Sequence, residues 1–387
     1  MPHVCKCTRK PGGKRSRLTC GRFASKSQPK QPSLLAPALP SSNGHLAWEF
    51  SSLWNQSLVV RQERAYEPRQ HVWASEIGGA MVDRFLRMSG VKPTNPPNAR
   101  SLRKFQAADI FEWVVNFVLK RAGVLIASQE HVSFQYPGLL EVTGKLDHLA
   151  GGQPDWDKAR AEMLGIGFPP IIENASLAIV EQLSKKFGAE PLETIILETK
   201  SLGTSIFDRY ETLKKAAPHH RGQLFHYLKA KNMREGHVVY VCRDDCRLVE
   251  IGVFNPSDAE DDYRRDIEKI TGYITAKERP PKAPEILFDD LTFRFRSNWQ
   301  VEYSQYLTLL YGYDEPIAFR DKWKSSVASW NRVFKRCVTG ANMTTKNELA
   351  ITAAKMHFAN WDDHIDRAKE AAKKNPELIE TEDTEEA

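Results

Sequence analysis

Apolar positions recur along this chain in two rhythms. The run Thr194-Ile195-Ile196-Leu197 is β-branched and apolar, which predicts a buried strand running on into Glu198-Thr199-Lys200. His237 to Val241 and Leu248 to Val253 predict two further strands. Elsewhere the spacing is helical. Phe105 opens a long amphipathic stretch that reaches Leu119 and ends at Gly123, and a second helix is expected near Ser176 to Phe187. His220 to Lys229 predicts a third, with Leu224, Phe225 and Leu228 in one stripe and Gln223 and Tyr227, four apart, on one flank. Ser257 to Ala276 reads as a helix begun at the Asn255-Pro256-Ser257-Asp258 turn and broken by the proline-rich Arg279 to Pro284. A last helical segment is expected near Asn347 to Lys374.

Composition changes this picture at the two ends. The chain has 387 residues, 41% of them hydrophobic, enough to bury a substantial core, and no apolar run approaches the roughly 18 residues of a membrane span. A net charge of +6 hides an asymmetry: residues 1 to 40 hold nine Lys or Arg and no acid, which leaves about −3 for the rest. The basic start, rich in Ser, Pro and Gly, reads as a disordered tail that adds nonspecific phosphate affinity. The same composition suits an organelle transit peptide, the alternative reading. The end, from Glu377 to Ala387, is acidic and reads as disordered. Cys5, Cys7, Cys20, Cys242, Cys246 and Cys337 lack the paired spacing of a zinc site and are expected to be reduced. No Gly-x-x-x-x-Gly-Lys-Ser/Thr loop is present, so an attached nucleotide-driven motor is excluded.

The candidate chemistry lies between. Glu198 and Lys200 are two apart on a strand and share a face, and Val142-Thr143-Gly144-Lys145-Leu146-Asp147 supplies another carboxylate. A hard divalent cation takes one or two carboxylates plus water and phosphate; Asp147 and Glu198 suit it, and the Thr199 carbonyl is a neutral oxygen between them. A lysine beside such an ion orients or deprotonates water and stabilises charge on a phosphate. Taken singly, each piece also has a plain reading: Glu198 and Lys200 as an ion pair on a solvated strand, Asp147 as a hairpin residue, Gln223 and Tyr227 as a helix flank.

In the order Gly-x-x-Asp, Glu-x-Lys, Gln-x-x-x-Tyr, these residues resemble the PD-(D/E)XK nuclease superfamily, in its RecB-like and lambda-exonuclease-like branch. The resemblance covers roughly Trp73 to Pro284. It implies an α/β, restriction-endonuclease-like core with a mixed central sheet flanked by helices. It also implies that Asp147, Glu198, the Thr199 carbonyl and Glu112, from the helix before the first strand, bind Mg2+ or Mn2+, with Asp109 in reserve for Glu112. Asp147, Glu198 and Lys200 are then catalytic, and Gln223 and Tyr227 steady the site or the DNA. The implied activity is a DNA exonuclease of recombination, repair or phage DNA processing, acting on linear ends, cytoplasmic in a bacterium or phage-infected cell. A recombination or single-strand-binding protein is the implied partner, no membrane is involved, and an oligomer is left open. A structure-selective or restriction-like endonuclease and an inactive DNA-binding or assembly protein are the alternatives.

Two departures stand out. The 50 residues between Asp147 and Glu198 suggest an insertion over about 151–191 that gates or lines the DNA path. The aromatic segment Trp299 to Tyr306 looks like the Cys-rich segment of iron-sulfur relatives, with Val and Ser where cysteines would stand, so no iron-sulfur cluster is expected. The expected organisation is a basic tail over 1–45, a nuclease core over 46–284, a mostly helical region over 285–374 and an acidic tail over 375–387. Between Phe293 and Trp330 the abundant aromatics are expected to pack that helical region, with base stacking as the alternative.

Overall fold

The computed structural model describes residues 69–254, 257–290 and 292–374. The expectations for the basic and acidic tails, and for Cys5, Cys7 and Cys20, lie outside the described residues. Among the described residues no helix is long and apolar enough to cross a membrane.

The chain forms a mixed α/β structure around a six-stranded sheet, assembled in the order β1-β3-β4-β5-β6 with β2 on the free side of β3. Short β1 (His71–Trp73) runs parallel to the start of β3 (Glu141–Gly152), and β2 (Leu125–Phe134) pairs antiparallel along nearly all of β3. Next comes β4 (Leu192–Leu202), antiparallel to β3, then β5 (Glu235–Cys242), parallel to β4, and β6 (Leu248–Phe254), antiparallel to β5. The parallel step from β4 to β5 needs a crossover. Helices α5 (Thr204–Leu213) and α6 (Pro218–Lys231) supply it, while α1 (Met81–Met88) and α2 (Ala99–Arg121) come between β1 and β2.

One face of the sheet is closed by α6 and α7 (Ser257–Ala276). Val249, Ile251 and Val253 alternate with exposed positions along β6, and join Ile196, Val238 and Tyr240 in a core with Leu224, Phe225 and Leu228 of α6 and Tyr263, Ile267 and Ile270 of α7. The α6 stripe is wider than its spacing indicates: every residue from Gln223 to Tyr227 is buried together with Leu228. Helix α2 differs in the opposite sense. It spans the expected stretch, with Gly123 at φ +69° just beyond its end, yet it buries none of its 23 residues and leaves Phe105, Ile110 and Trp113 exposed. Its apolar residues spread around the helix instead of forming a stripe.

Between β3 and β4, two helices, α3 (Trp156–Gly165) and α4 (Pro170–Phe187), pack through Ala159, Met163 and Val180 with Phe117 of α2 alongside. The helix expected near Ser176 to Phe187 starts six residues earlier, where Pro170 takes the first helical position and loses no hydrogen bond.

After α7 come two strands that periodicity did not foretell, β7 (Ile286–Asp289) and β8 (Arg294–Ser297), an antiparallel hairpin too short to show alternation. Helices α8 (Trp299–Glu302), α9 (Leu307–Tyr311) and α10 (Pro316–Thr339) follow. The last expected helix is two, α11 (Thr345–His357) and α12 (Trp361–Lys374), because Phe358 turns to extended backbone and packs against the second core. That core holds Phe295, Phe319, Trp323, Trp330 and Trp361.

Helix α1 is locked to α7 by charge. Arg84, 2% exposed, donates from Nη1 and Nη2 to the two carboxylate oxygens of Asp266 at 2.6 and 2.7 Å. Truncating one partner strands the other charge in the interior. Asp266→Ala is expected to lower the unfolding free energy by roughly 3 kcal/mol, read from the urea midpoint, with Asp266→Glu losing less.

Candidate active site

The site begins as a gap at the edge of a strand. Pairing of β3 with β1 stops at Thr143, and pairing with β4 starts at His148. From Gly144 to Asp147, β3 therefore has β2 on one edge and, among the described residues, no paired strand on the other. Backbone polar groups left so inside a protein need other partners.

Side chains from the expected motifs supply them. The Tyr227 hydroxyl donates to the Lys145 carbonyl at 2.8 Å and accepts from Gln223 Nε2 at 3.0 Å. Asp147 Oδ2 accepts the Thr199 backbone N–H at 2.8 Å, joining β3 to β4 where ladder bonds have ceased. Gly144 makes room: a Cβ there would lie 2.8 Å from both Tyr227 Cε1 and Ala74 Cβ. Tyr227 is 1% exposed and Gln223 is 7% exposed, so both act here through the backbone they hold.

Asp147 and Glu198 consequently lie within electrostatic reach of each other, each feeling Lys200. Glu198, fully buried, accepts from Lys200 Nζ at 2.5 Å through Oε1, while its Oε2 is buried with no hydrogen-bond partner among the described residues. Glu112 projects from α2, accepts a hydrogen bond from Gln129 and lies within Coulombic reach of Asp147 and Lys200. Asp109, exposed on the same helix, adds its charge to Glu112.

This crowding has clear electrostatic consequences. Burial pushes the Glu198 carboxyl up to about 8 against the pull of Lys200, and the Asp147 charge adds to the rise. Glu112 is raised to about 7, first by burial and then by Asp147. Asp147 is also raised by burial, with Lys200 and the Thr199 N–H opposing. Burial works against the Lys200 ammonium, but Glu198 and Asp147 outweigh it and hold its proton more tightly than usual. A lysine so placed keeps its charge beside these carboxylates.

Among the described residues no three His, Cys, Asp or Glu side chains converge as a ready-made metal cage. Two carboxylates and a neutral oxygen still suffice for a small hard cation that keeps several waters. The partnerless Glu198 Oε2 beside Asp147 is a donor arrangement of that kind. Local reading of the chain missed His148, His219 and His220. His148 is fully buried next to Asp147, pulled down to about 4 by burial, and neither ring nitrogen has a hydrogen-bond partner among the described residues. His219 and His220 feel the charge of Lys200. The doublet directly before Arg221-Gly222-Gln223 was the available signal.

No protein-family model matches the chain, and no curated protein matches it. Among solved structures, the crystal structure of SSO0001 superposes with a TM-score of 0.38 at 12% identity, covering 67% of this chain and 95% of that one. LHK-Exo in complex with dAMP superposes with a TM-score of 0.34 at 10% identity, over 56% of this chain and 93% of that one. An alkaline exonuclease (LHK-Exo) from Laribacter hongkongensis gives 0.33 at 11% identity, over 58% and 93%. Superpositions this loose transfer no activity.

Two outcomes follow from the geometry. Tyr227→Phe strands the Lys145 carbonyl and the Gln223 amide, and is expected to cost about 1–3 kcal/mol in urea unfolding. In chelator, the stability that Glu198 and Glu112 contribute in their protonated forms is complete below their ordinary value of 4.5 and is lost as pH rises through about 7 and then about 8. Glu112→Gln should therefore flatten the fall in urea midpoint between pH 4.5 and about 7, and Glu198→Gln the fall between pH 4.5 and about 8, including the stretch above pH 7 that Glu112 leaves untouched.

Proposed function

We propose that this protein is a metal-dependent DNA exonuclease that hydrolyses phosphodiester bonds. One observation carries the reading: at a strand-edge gap, Asp147 lies within electrostatic reach of buried Glu198, which keeps one carboxylate oxygen without a hydrogen-bond partner among the described residues and gives the other to the Lys200 ammonium. Burying several carboxylates together is costly, and a bound divalent cation is the natural compensation for such a cluster. The order of the motifs, Gly144-x-x-Asp147, Glu198-x-Lys200 and Gln223-x-x-x-Tyr227, supports the same reading and favours end-processing over internal cutting.

Asp147, Glu198 and the Thr199 carbonyl would hold Mg2+ or Mn2+, and Glu112 would complete the set from the side of α2. Such an ion supplies Lewis acidity toward the phosphate and a water acidic enough to attack near neutral pH. Lys200 keeps its proton, orients the attacking water and stabilises charge that builds on the phosphate oxygens. Gln223 and Tyr227 are positioning residues: by holding the Lys145 carbonyl they fix the course of β3 on which Asp147 stands. Linear DNA ends are the proposed substrate, in DNA recombination, repair or phage DNA processing.

The test is a time course on linear duplex, linear single-stranded and covalently closed circular DNA, in Mg2+, Mn2+ or EDTA. Metal-dependent loss of linear DNA with circles spared is expected, falling at least a hundredfold in Asp147→Ala and Lys200→Ala. Cut circles would replace exonuclease by endonuclease. DNA bound but uncut under every condition would replace the enzyme by a binding protein.

A further inference from the structure

The aromatic run between Phe293 and Trp330 divides in the folded chain. Phe295, Tyr306, Phe319 and Trp330 are buried, whereas Trp299 is 40% exposed and Tyr303 is 60% exposed. Trp299 opens α8 and Tyr303 closes it, four residues apart and so on one side of the turn. A single exposed aromatic is ordinary. Here the surroundings make the pair distinctive.

First, the platform is linked through His219 to the charge of Lys200. The Trp299 ring lies 5.0 Å, centroid to centroid, from His219 at the start of α6, tilted by 42°. Burial and the charge of Lys200 both hold the His219 imidazole down, to about 4, so the ring is neutral at physiological pH. An uncharged imidazole backing an indole is a π surface, here within Coulombic reach of the Lys200 ammonium.

Second, the segment is pinned on both sides of the exposed rings. Asn298 Nδ2 donates to the Pro284 carbonyl at 2.7 Å and Gln300 Nε2 to the Gly78 carbonyl at 2.7 Å. Ser304 Oγ donates to Asp83 at 2.6 Å and the Tyr306 hydroxyl to the Val91 carbonyl at 2.8 Å. Gly78 in turn lies against His219, where a Cβ would sit 3.7 Å from its backbone and side chain. A large aromatic surface held in place in water, beside a cation, is what nucleobase stacking requires, since every base offers a π face and pre-ordering lowers the entropic cost of binding.

We propose that Trp299, backed by His219 and extended by Tyr303, is a stacking platform for a base of the DNA strand whose phosphate enters the Asp147, Glu198 and Lys200 cluster. This rests on the nuclease reading for the strand's identity. It adds a binding site contributed by the region after β8, remote in sequence from the catalytic residues.

The experiment measures anisotropy of a fluorescein-labelled single-stranded 12-nucleotide DNA, and of the same strand with every base replaced by an abasic residue. The full-length protein carries Asp147→Asn, and EDTA is present so that nothing is cut. The base-bearing strand should bind more tightly than the abasic one. Trp299→Ala on that background should lose roughly tenfold in affinity for the base-bearing strand, with little change for the abasic one, and Trp299→Phe should recover most of the loss. Tyr303→Ala, at a still more exposed position, gives a second reading in a variant that leaves the Trp299 contacts in place. Equal loss on both strands, no loss in either alanine variant, or no binding of either strand would overturn the platform. Cleavage by the wild type with no base preference sinks the platform and leaves the nuclease. Absence of cleavage with a Trp299-dependent base preference does the reverse.

Discussion

Everything at the centre of this molecule follows from a stretch of β3 that has a strand on one edge only. Between Thr143, where β1 stops, and His148, where β4 begins, the sheet opens. A buried backbone carbonyl without a partner costs as much as a lost hydrogen bond, so the opening persists only because Tyr227 reaches across from α6 to fill it. That reach demands glycine at position 144, and the hydroxyl that makes it is itself held by Gln223. The aspartate three residues after the glycine then grips the β4 backbone in place of a ladder bond. Scattered polar residues become one interlocked device.

The opening concentrates charge. Buried Asp147 and Glu198 and half-buried Glu112 share one electrostatic cluster, with Lys200 as the compensating cation among them. The isolated protein meets this expense partly by retaining protons, as the raised carboxyls of Glu112 and Glu198 indicate. A cluster of this sort is poor as a stabilising element and well suited to holding a cation against a polyanion. The Arg84 and Asp266 pair shows the contrast: both oxygens are engaged and its geometry is bidentate, so it fastens α1 to α7 and offers nothing to a ligand.

Rigidity around the centre comes from two sides. The core of α6 and α7 against β4, β5 and β6 fixes the strand that carries Glu198 and Lys200. The hairpin and helices after Pro284 form a second core around Phe295, Trp330 and Trp361, and return Gln300, Ser304 and Tyr306 to the loops and helix that follow β1. This return path brings an exposed indole next to His219 without any local pattern announcing it.

What the sequence determined by itself was local. The β-branched run before Glu198, the spacing of Leu224, Phe225 and Leu228, and the prolines after Ala276 specify element types because periodicity and proline chemistry act over a few residues. The same locality explains the misses. Four-residue β7 and β8 are too short to alternate, α11 and α12 part where tertiary packing draws Phe358 inward, and α2, expected to be amphipathic, spreads its apolar residues around the helix and buries none of them fully. Residue types also marked the candidates in advance, since a carboxylate on each of two successive strands and a lysine are legible wherever they fall. Only the tertiary structure decided that Asp147 and Glu198 come within electrostatic reach, that Tyr227 turns inward to the Lys145 carbonyl, and that His219, with Trp299 against it, lies where it feels Lys200. The register of β3 on β4 spans an intervening pair of helices, and no short-range pattern records where a long-range ladder begins or where it stops.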